Sequence, residues 1–257
     1  MNNKDSLGDR MKEFYENRSK LYLPRRVPVI IRLDGKAFHT FTKGFKRPYD
    51  EILHNTMNST LKYLCENIQG CKLGYTQSDE ITLLLTDYDT ITTDAWFGYG
   101  MQKVCSVAAS MATLAFNKSL RNHYEDYFNE HWYEEDYMKQ VLKALEKGAM
   151  FDARCFSIPK EEVTNCFLWR FLDCERNSIQ MLGQTYFSHK QLHGLSCNQI
   201  QEKLFQEHGI NWAKYPEEFK NGVCAKRTDD GHWVLMPMVD PRKDRNFFEE
   251  CFNFENM

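Results

Sequence analysis

The sequence lacks the features that place a protein in or across a membrane. No uninterrupted apolar run among its 257 residues approaches the roughly 20 needed to span a bilayer. The first stretch, MNNKDSLGDRMKEFYENR, has no apolar core of the kind found in secretory signals. The nine cysteines form no C-x-x-C pair, which argues against a zinc ribbon, and their odd number argues against a disulfide framework. We therefore expect a cytoplasmic protein with reduced thiols and no membrane partner.

Familiar phosphate-binding and hydrolase motifs are also missing. The sequence has no G-x-x-x-x-G-K-[ST], no G-x-S-x-G and no H-E-x-x-H. The pair Gly98 and Gly100 lacks a third glycine and follows no predicted strand, so it does not indicate a dinucleotide loop. Phosphates would instead need the backbone amides that follow Gly35 and basic side chains. The candidate basic side chains are Lys36, Lys43, Lys46, Arg47 and Lys103.

The chain as a whole is nearly neutral, but its charges are unevenly distributed along the sequence. The net charge is −3, yet residues 1–49 hold twelve Lys and Arg against five acids, a local excess of +7. Residues 122–148 hold seven acids against three lysines. The first stretch suits contact with a polyanion. The alternative is that both stretches are solvated surfaces.

Hydrophobic periodicity predicts strands that alternate with helices. The predicted elements are a polar helix over the first twenty residues, a strand over 29–33, a helix capped by Asp50 and ended by Gly70, a hairpin turning at 77–80, a helix over 94–120, a helical acidic stretch over 122–148, a strand over 150–158, a helix from Pro159 to Tyr186, a helix begun by Ser196 and Gln199, and a hairpin turning at 229–231. This order predicts an α+β fold of ferredoxin-like type with a mainly antiparallel sheet. A doubly wound parallel sheet fits less well because the connection QSDE is too short for a crossover.

Two apolar strands each carry carboxylates at a turn. Asp34 follows the run VIIRL, and Asp79 and Glu80 precede the run ITLLL. An ionised carboxylate without compensation would be costly at such a place, so we expect a cation nearby. Mg²⁺ uses one or two protein carboxylates plus substrate phosphates, and Gly35 would let the backbone approach a metal or phosphate. The alternative is that these acids only cap turns; their pairing favours a two-metal site for phosphoryl transfer.

Five stretches carry a resemblance to a known family through their order and spacing. They are RLDGKAFHTF (32–41), FKRPYD (45–50), GYTQSDEITLL (74–84), FDAR (151–154) and WRFLDCERN (169–177). The sequence resembles the tRNA-His guanylyltransferase family over roughly residues 5 to 190, and within it the bacterial and archaeal Thg1-like proteins. The family's catalytic domain looks like the palm of ordinary polymerases, yet it adds nucleotides in the 3′-to-5′ direction. The resemblance implies a palm-like catalytic domain over 1–140 and a helical C-terminal region of the same family over 141–257 packed on it.

The resemblance implies a role for each matching position in a two-metal nucleotidyltransferase. Asp34 and Asp79 would be catalytic ligands of two Mg²⁺ ions, Gly35 would give its backbone carbonyl, and Glu80 would support the site. The residues that would hold ATP or GTP are Asp34, Gly35, Lys36, Ala37, Phe38, His39, Ser78 and Asp79, with Arg32, Arg47 and Lys103 handling triphosphate or RNA. The candidate tRNA contacts are Asn177 by its match to the family and, from the basic N-terminal region, Arg18, Lys20, Arg25, Arg26 and Lys46.

Two departures favour the Thg1-like branch over strict addition of guanosine at position −1 of tRNA-His. Eukaryotic members carry HINNLYN where this sequence has ERNSIQM (175–181), and Gly100 stands at a basic position of their next helix. The Thg1-like branch is associated with template-dependent repair of tRNAs that lack 5′ nucleotides. The family's mechanism would begin with activation of the tRNA 5′ phosphate by ATP or GTP, followed by attack of an incoming nucleotide's 3′-hydroxyl.

The resemblance also implies partners. The substrates would be the 5′ end and acceptor stem of tRNA and nucleoside triphosphates, and the protein would form a homotetramer, a dimer of dimers. Two alternatives of other classes remain. One is a metal-dependent nucleotidyl cyclase, which shares the paired acids and needs no RNA. The other is a non-catalytic tRNA-binding module.

Overall fold

The fold is built on one antiparallel sheet. In the computed structural model, which describes residues 6–253, six strands lie in the order β4-β1-β3-β2-β5-β6, and each neighbouring pair is antiparallel. The strands are β1 (Val29–Gly35), β2 (Cys71–Gln77), β3 (Glu80–Leu85), β4 (Phe151–Ser157), β5 (Val223–Arg227) and β6 (Trp233–Pro237). The first four strands and their connecting helices follow the β-α-β-β-α-β order of a ferredoxin-like fold. The predicted α+β fold is confirmed.

Helices of very different length cover both faces of this sheet. They are α1 (Ser6–Phe14), α2 (Phe38–Phe41), α3 (Glu51–Asn67), α4 (Met101–His131), α5 (Glu135–Lys147), α6 (Lys160–Tyr186), α7 (His189–Leu192), α8 (Cys197–His208), α9 (Glu217–Asn221) and α10 (Asn246–Glu249). Among these helices of residues 6–253, none combines the length and apolar character that a membrane crossing requires.

Side-chain alternation along the strands divides the core into two layers. Ile31 and Leu33 of β1 lie in the larger apolar cluster, which α3 and α4 cover. Ile30 lies in a second cluster, formed with the apolar residues of α6. Arg32 and Asp34 follow Ile30 on this second face. The end of β1 therefore presents charged side chains under α6, beside a core that anchors the strand.

Two predicted helix starts are confirmed, and at each of them a side chain caps the helix. The Asp50 carboxylate accepts a hydrogen bond from the amide of Leu53 and begins α3 as predicted. Ser196 and Gln199 form the predicted capping box of α8. The predicted strand over 150–158, the helix that follows it and both hairpins are also present.

Three helix boundaries differ from the prediction. The helix expected from residue 94 begins at Met101, because Phe97 and Tyr99 have positive φ and break the helical path before it. It then continues to His131, and the acidic stretch is divided between α4 and α5. The N-terminal helix ends at Phe14, and a 3₁₀ turn follows it; residues 1–5 of that prediction lie outside the described range.

The C-terminal elements extend the sheet and pack on α6. Strand β5 pairs with β2, so the sheet takes strands from both sides of residue 140. Residues of α6 and α8, including Leu182 and Leu204, form a third apolar cluster. The division into a catalytic domain and a C-terminal region remains a prediction.

Candidate active site

A row of three carboxylates crosses the sheet where β1 ends. Asp34 lies opposite Glu80 on β3 and opposite Asp152 on β4. Residues directly opposite each other in antiparallel strands have Cβ atoms about 4.5–5.5 Å apart, and like charges there repel. Burial and, after it, the negative charges of Glu80 and Asp152 raise the pKa of Asp34 above its ordinary value.

Two arginines lie next to these acids on the same face of the sheet and form ion pairs with Asp152 and Glu80. Arg154 donates to the carboxylate of Asp152 over 3.0 Å, and Arg32 donates to Glu80 over 3.2 Å. Their charges lower the pKa of Asp34 too little to cancel the effect of burial. Within residues 6–253, Asp34 forms no ion pair of its own, so its carboxylate remains available to a cation.

The turn between β2 and β3 brings Asp79 to the end of β1. Ser78 has a φ of 52°, which bends the chain so that the Asp79 carbonyl accepts a hydrogen bond from the amide of Gly35 over 3.1 Å. The Ser78 hydroxyl donates to the Asp79 carboxylate over 3.0 Å. Burial raises the pKa of Asp79 to about 6, and the negative charge of Asp34 contributes to the rise. The turn thus brings the two predicted ligand residues to the same end of β1, and the charge of Asp34 helps to raise the pKa of Asp79.

The two carboxylates fit a divalent cation that a substrate helps to hold. Both have raised pKa values, and in the described chain neither has an ion-pair partner, so a cation would relieve their repulsion. Across residues 6–253, no group of three or more His, Cys, Asp or Glu side chains could hold a metal ion by itself. This pattern fits Mg²⁺, which keeps several waters and commonly joins one or two carboxylates to substrate phosphates.

Glu80 is held by a buried arginine from α6. The guanidinium of Arg170, whose residue is 3% exposed, donates to the Glu80 carboxylate and to Asp173. Arg32 contacts the same Glu80 oxygen and lies over the Trp169 ring, 4.7 Å from its centroid. Glu80 thus accepts hydrogen bonds from two arginines, and its supporting role beside Asp79 remains a prediction.

The segment after Gly35 forms a tight turn that leads into α2. Ala37 has a φ of 54°, while Lys36 and His39 are exposed. Phe38 is buried against Phe116 and Phe151, so any contact that it makes with a nucleotide would come from its backbone. The exposed side chains and amides of this turn are the parts that a phosphate could reach.

The candidate cations further from this centre fall into two groups. Three of them already have acidic partners: Lys20 pairs with Glu16, Arg25 with Asp87 and Lys46 with Glu134. The exposed residues Arg18, Arg26, Arg47 and Lys103 form the second group; the Lys103 ammonium lies 4.4 Å from the centroid of the Phe97 ring. Asn177 donates to Asp173 over 3.3 Å. For Lys20, Arg25 and Lys46, binding RNA would require an existing ion pair to break.

A cavity of about 120 Å³ opens beside the Asp79 turn. Its lining is mostly apolar and includes Met57, Met181 and Phe219, with Ser78 and Asn177 among its polar residues. Asn58 also lines it, and the Asn58 amide oxygen is buried without a hydrogen-bond partner in the described part of the chain. Apolar walls with a few placed polar groups are typical of small-ligand sites.

Sequence reasoning gave no role to four residues that complete this region. Asp152 and Arg154 were part of a matching stretch, but only the pairing of β4 with β1 places Asp152 opposite Asp34. Arg170 belonged to another matching stretch (169–177); the signal that marks it is its position one turn of helix before Asp173, on the buried side of α6. Asn58 gave no signal in the sequence.

Comparisons with known proteins show which family this chain is similar to. A family model described as tRNAHis guanylyltransferase matches residues 8–159. A bacterial tRNA(His) guanylyltransferase (Thg1)-like protein, solved in complex with ATP, is 42% identical, covers 97% of this chain and 100% of its own, and has a TM-score of 0.85. A bacterial Thg1-like protein solved in complex with GTP is 38% identical with the same coverage and a TM-score of 0.79. The tRNA(His) guanylyltransferase of Saccharomyces cerevisiae is 28% identical over 77% of this chain and 82% of its own length.

Proposed function

Since this chain belongs to the tRNAHis guanylyltransferase family, we propose that it is a template-dependent 3′-to-5′ nucleotidyltransferase that repairs the 5′ ends of truncated tRNAs. One observation carries the proposal: the β2–β3 turn holds Asp79 at the end of β1, where Asp34 lies, and neither carboxylate forms an ion pair within residues 6–253. The bacterial structures with ATP and GTP, together spanning nearly all of this chain, support nucleotide binding here.

Asp34, Asp79 and the Gly35 carbonyl are the groups that would hold Mg²⁺. Two bound ions would activate the attacking oxygen and neutralise charge on the leaving phosphate group. The residues of the chain have the remaining tasks. Lys36 and His39 are exposed on the turn after Gly35 and would contact the triphosphate, and Arg32 would help to balance its charge while it keeps Glu80 in place.

The reaction has two phosphoryl transfers. In the first, an oxygen of the tRNA 5′-monophosphate attacks the α-phosphorus of ATP or GTP, and the bond to pyrophosphate breaks. In the second, the 3′-hydroxyl of an incoming nucleoside triphosphate loses its proton and attacks the activated 5′ phosphorus, and AMP or GMP leaves. Both steps develop charge on phosphate oxygens, so one preorganised set of groups can serve them in turn.

The cavity beside Ser78 is the candidate site for the purine of the activating nucleotide. It adjoins Asp79, and its apolar lining would cover the faces of a base. The Asn58 oxygen, a buried acceptor without a partner in the described residues, would accept from an exocyclic amino group. Adenine and guanine both carry such a group, which agrees with activation by either nucleotide.

Repair, rather than strict guanosine addition, is favoured by the segment 175–181. Here Ser178 accepts a hydrogen bond from the Trp212 indole, and Ile179 packs in the cluster shared with α8. The segment thus fixes the C-terminal helices in this chain. Its sequence differs from the corresponding motif of the eukaryotic guanosine-adding enzymes.

We place this enzyme in the cytoplasm as a homotetramer. All nine cysteines are free thiols, which agrees with a reducing compartment. Large aromatic side chains at the α4–α5 connection, Trp132 and Tyr133, are more than 60% exposed and are candidates for contacts between copies.

Incubation with a 5′-truncated, 5′-monophosphorylated tRNA, labelled nucleoside triphosphates and Mg²⁺ tests the proposal. We expect tRNA lengthened at its 5′ end and release of pyrophosphate and nucleoside monophosphate. Cyclic nucleotide formed without RNA would assign a cyclase activity instead. Binding of tRNA without any extension would indicate a non-catalytic module.

A further inference from the structure

An open groove separates α4 from the start of β4. It encloses about 850 Å³. Among its ten lining residues are Ser110, Leu114, Lys118, Arg121, Asn122 and Met150. Asn117 joins the two walls, because its side chain donates to the carbonyl of Ala149 over 3.0 Å and accepts from the Ala149 amide over 2.8 Å. These bonds preform the groove.

One end of the groove adjoins the candidate active site. The amide of Lys36 donates to the carbonyl of Met150 over 2.8 Å, and Phe151 is paired with Gly35 across the sheet. From there the groove follows α4 from Ser110 to Arg121, which is about 17 Å of helix at 1.5 Å per residue. A chain molecule whose end reached Asp34 could therefore continue along the groove.

The electrostatics of the groove suit a polyanion. Residues 95–124 contain no Asp or Glu, although acids are frequent immediately after them. Lys118 and Arg121 are exposed at the groove, and none of its ten lining residues is acidic. Lys36 adds a third exposed cation where the groove meets the active site. Lys and Arg are among the side chains that commonly contact the phosphate oxygens of nucleic acids.

The apolar part of the lining favours a nucleic acid over a small anion. Leu114 is 50% exposed and Met150 is 56% exposed, so the groove offers apolar surface between its cations. Riboses and bases supply apolar surface beside each phosphate, whereas a free phosphate does not. The hydroxyl and amide groups of Ser110 and Asn122 are of the types that commonly contact sugar and phosphate oxygens.

We propose that this groove binds the ribose-phosphate backbone of the tRNA acceptor stem next to the reacting 5′ end. The proposal rests on the proposed function, which supplies the RNA, and it adds a binding surface on α4. Lys118 and Arg121 contact successive phosphates, while Leu114 and Met150 lie against sugar. The groove thereby sets the direction from which the 5′ phosphate enters the active site.

Fluorescence anisotropy with a 3′-labelled, 5′-truncated tRNA tests the groove over 50–200 mM salt. We expect the variant Lys118→Ala with Arg121→Ala to bind about tenfold more weakly, and the slope of log affinity against log salt to fall in magnitude by about 0.7–0.9 for each lost phosphate contact. A matched control, Lys190→Ala with Lys243→Ala, removes two exposed lysines of the C-terminal elements and should bind like wild type. Leu114→Glu, which adds a negative charge to the groove, should also weaken binding while the melting temperature stays close to that of wild type.

Each contrary result identifies what has failed. If wild type extends tRNA but the Lys118 and Arg121 variant keeps wild-type affinity and salt slope, the groove proposal is wrong and the proposed function stands. If wild type neither binds nor extends tRNA, the proposed function is wrong, and the groove proposal falls with it. If the variant changes the molecular mass in light scattering and leaves RNA affinity unchanged, the groove is a contact between copies and the proposal is wrong.

Discussion

The amide of Gly35 donates a hydrogen bond to the carbonyl oxygen of Asp79 across 3.1 Å. This bond joins the end of β1 to the β2–β3 turn, so the backbone itself fixes where the two acids stand. Burial raises the pKa of both carboxylates, and the negative charge of Asp34 adds to the rise for Asp79. These carboxylates could serve as ligands of a cation that substrate phosphates help to hold.

Replacing Asp79 should separate catalysis from RNA binding. Asp79→Ala removes one of two carboxylates from the proposed metal site, so we expect extension of 5′-truncated tRNA to fall at least 10³-fold, which corresponds to about 4 kcal/mol of barrier. The affinity for tRNA should stay within about threefold of wild type, because binding depends mainly on phosphate contacts elsewhere. Gel-based extension and anisotropy measure the two quantities. Substantial remaining extension would remove Asp79 from the metal site.

The stability of the metal-free protein should depend on the ionisation of Asp79. Its pKa in the folded state is raised to about 6 from the ordinary value of 3.8, so the carboxyl group ionises more easily in the unfolded chain. The contribution of this group to stability is therefore greatest below pH 4 and is lost as the pH rises through 6. Removing the charge with Asp79→Asn should raise the free energy of unfolding by about 2–3 kcal/mol at pH 8 in EDTA.

Urea unfolding of wild type and Asp79→Asn at pH 4, 6 and 8 measures that difference. The gain should shrink towards zero at pH 4, where the folded wild-type protein already carries the proton. Added Mg²⁺ should stabilise wild type more than the variant. A gain that is the same at every pH would show that the carboxylate is not the cause.

Gly35 should tolerate no side chain. A Cβ atom at Gly35 would lie 2.2 Å from a ring carbon of Phe38, which is packed in the core. We expect Gly35→Ala to lower the free energy of unfolding by about 1–3 kcal/mol, the usual cost of overpacking. Gly100→Ala is the matched control, since its nearest contact would be an ordinary 3.5 Å. Equal unfolding free energies for the two variants would contradict this account of Gly35.

Arg170 should stabilise the folded protein through its ion pair with Glu80. Arg170→Met leaves Glu80 with only Arg32 as an ion-pair partner among the described residues, so we expect a loss of about 3 kcal/mol in the free energy of unfolding. Adding Glu80→Gln to Arg170→Met should recover part of that loss, because the carboxylate no longer needs a partner. Lys139→Ala, which breaks an exposed pair with Glu135, should cost less than 1 kcal/mol. A double variant no more stable than Arg170→Met would refute the coupling.

The sequence predicted the elements of this fold better than their contacts. Asp50, the capping box at Ser196 and the alternation in β1 are local signals, and each local signal led to an element that is present. The placement of Asp152 and Arg170 depends on strand register and on how α6 lies across the sheet, which arise from distant parts of the chain. For the same reason, charge counting could not show which cations already have partners.

Nucleotide selection at the 5′ end of tRNA tests the central claim most directly. The measurement uses a set of 5′-monophosphorylated tRNAs that lack their first nucleotide and differ only in the base opposite the missing position. Sequencing of the extended products identifies the nucleotide added. We predict that the added nucleotide is complementary to the opposite base in each case and that Asp34→Asn adds none. Addition of guanosine whatever the opposite base, or no addition by wild type, would contradict a template-dependent 3′-to-5′ polymerase.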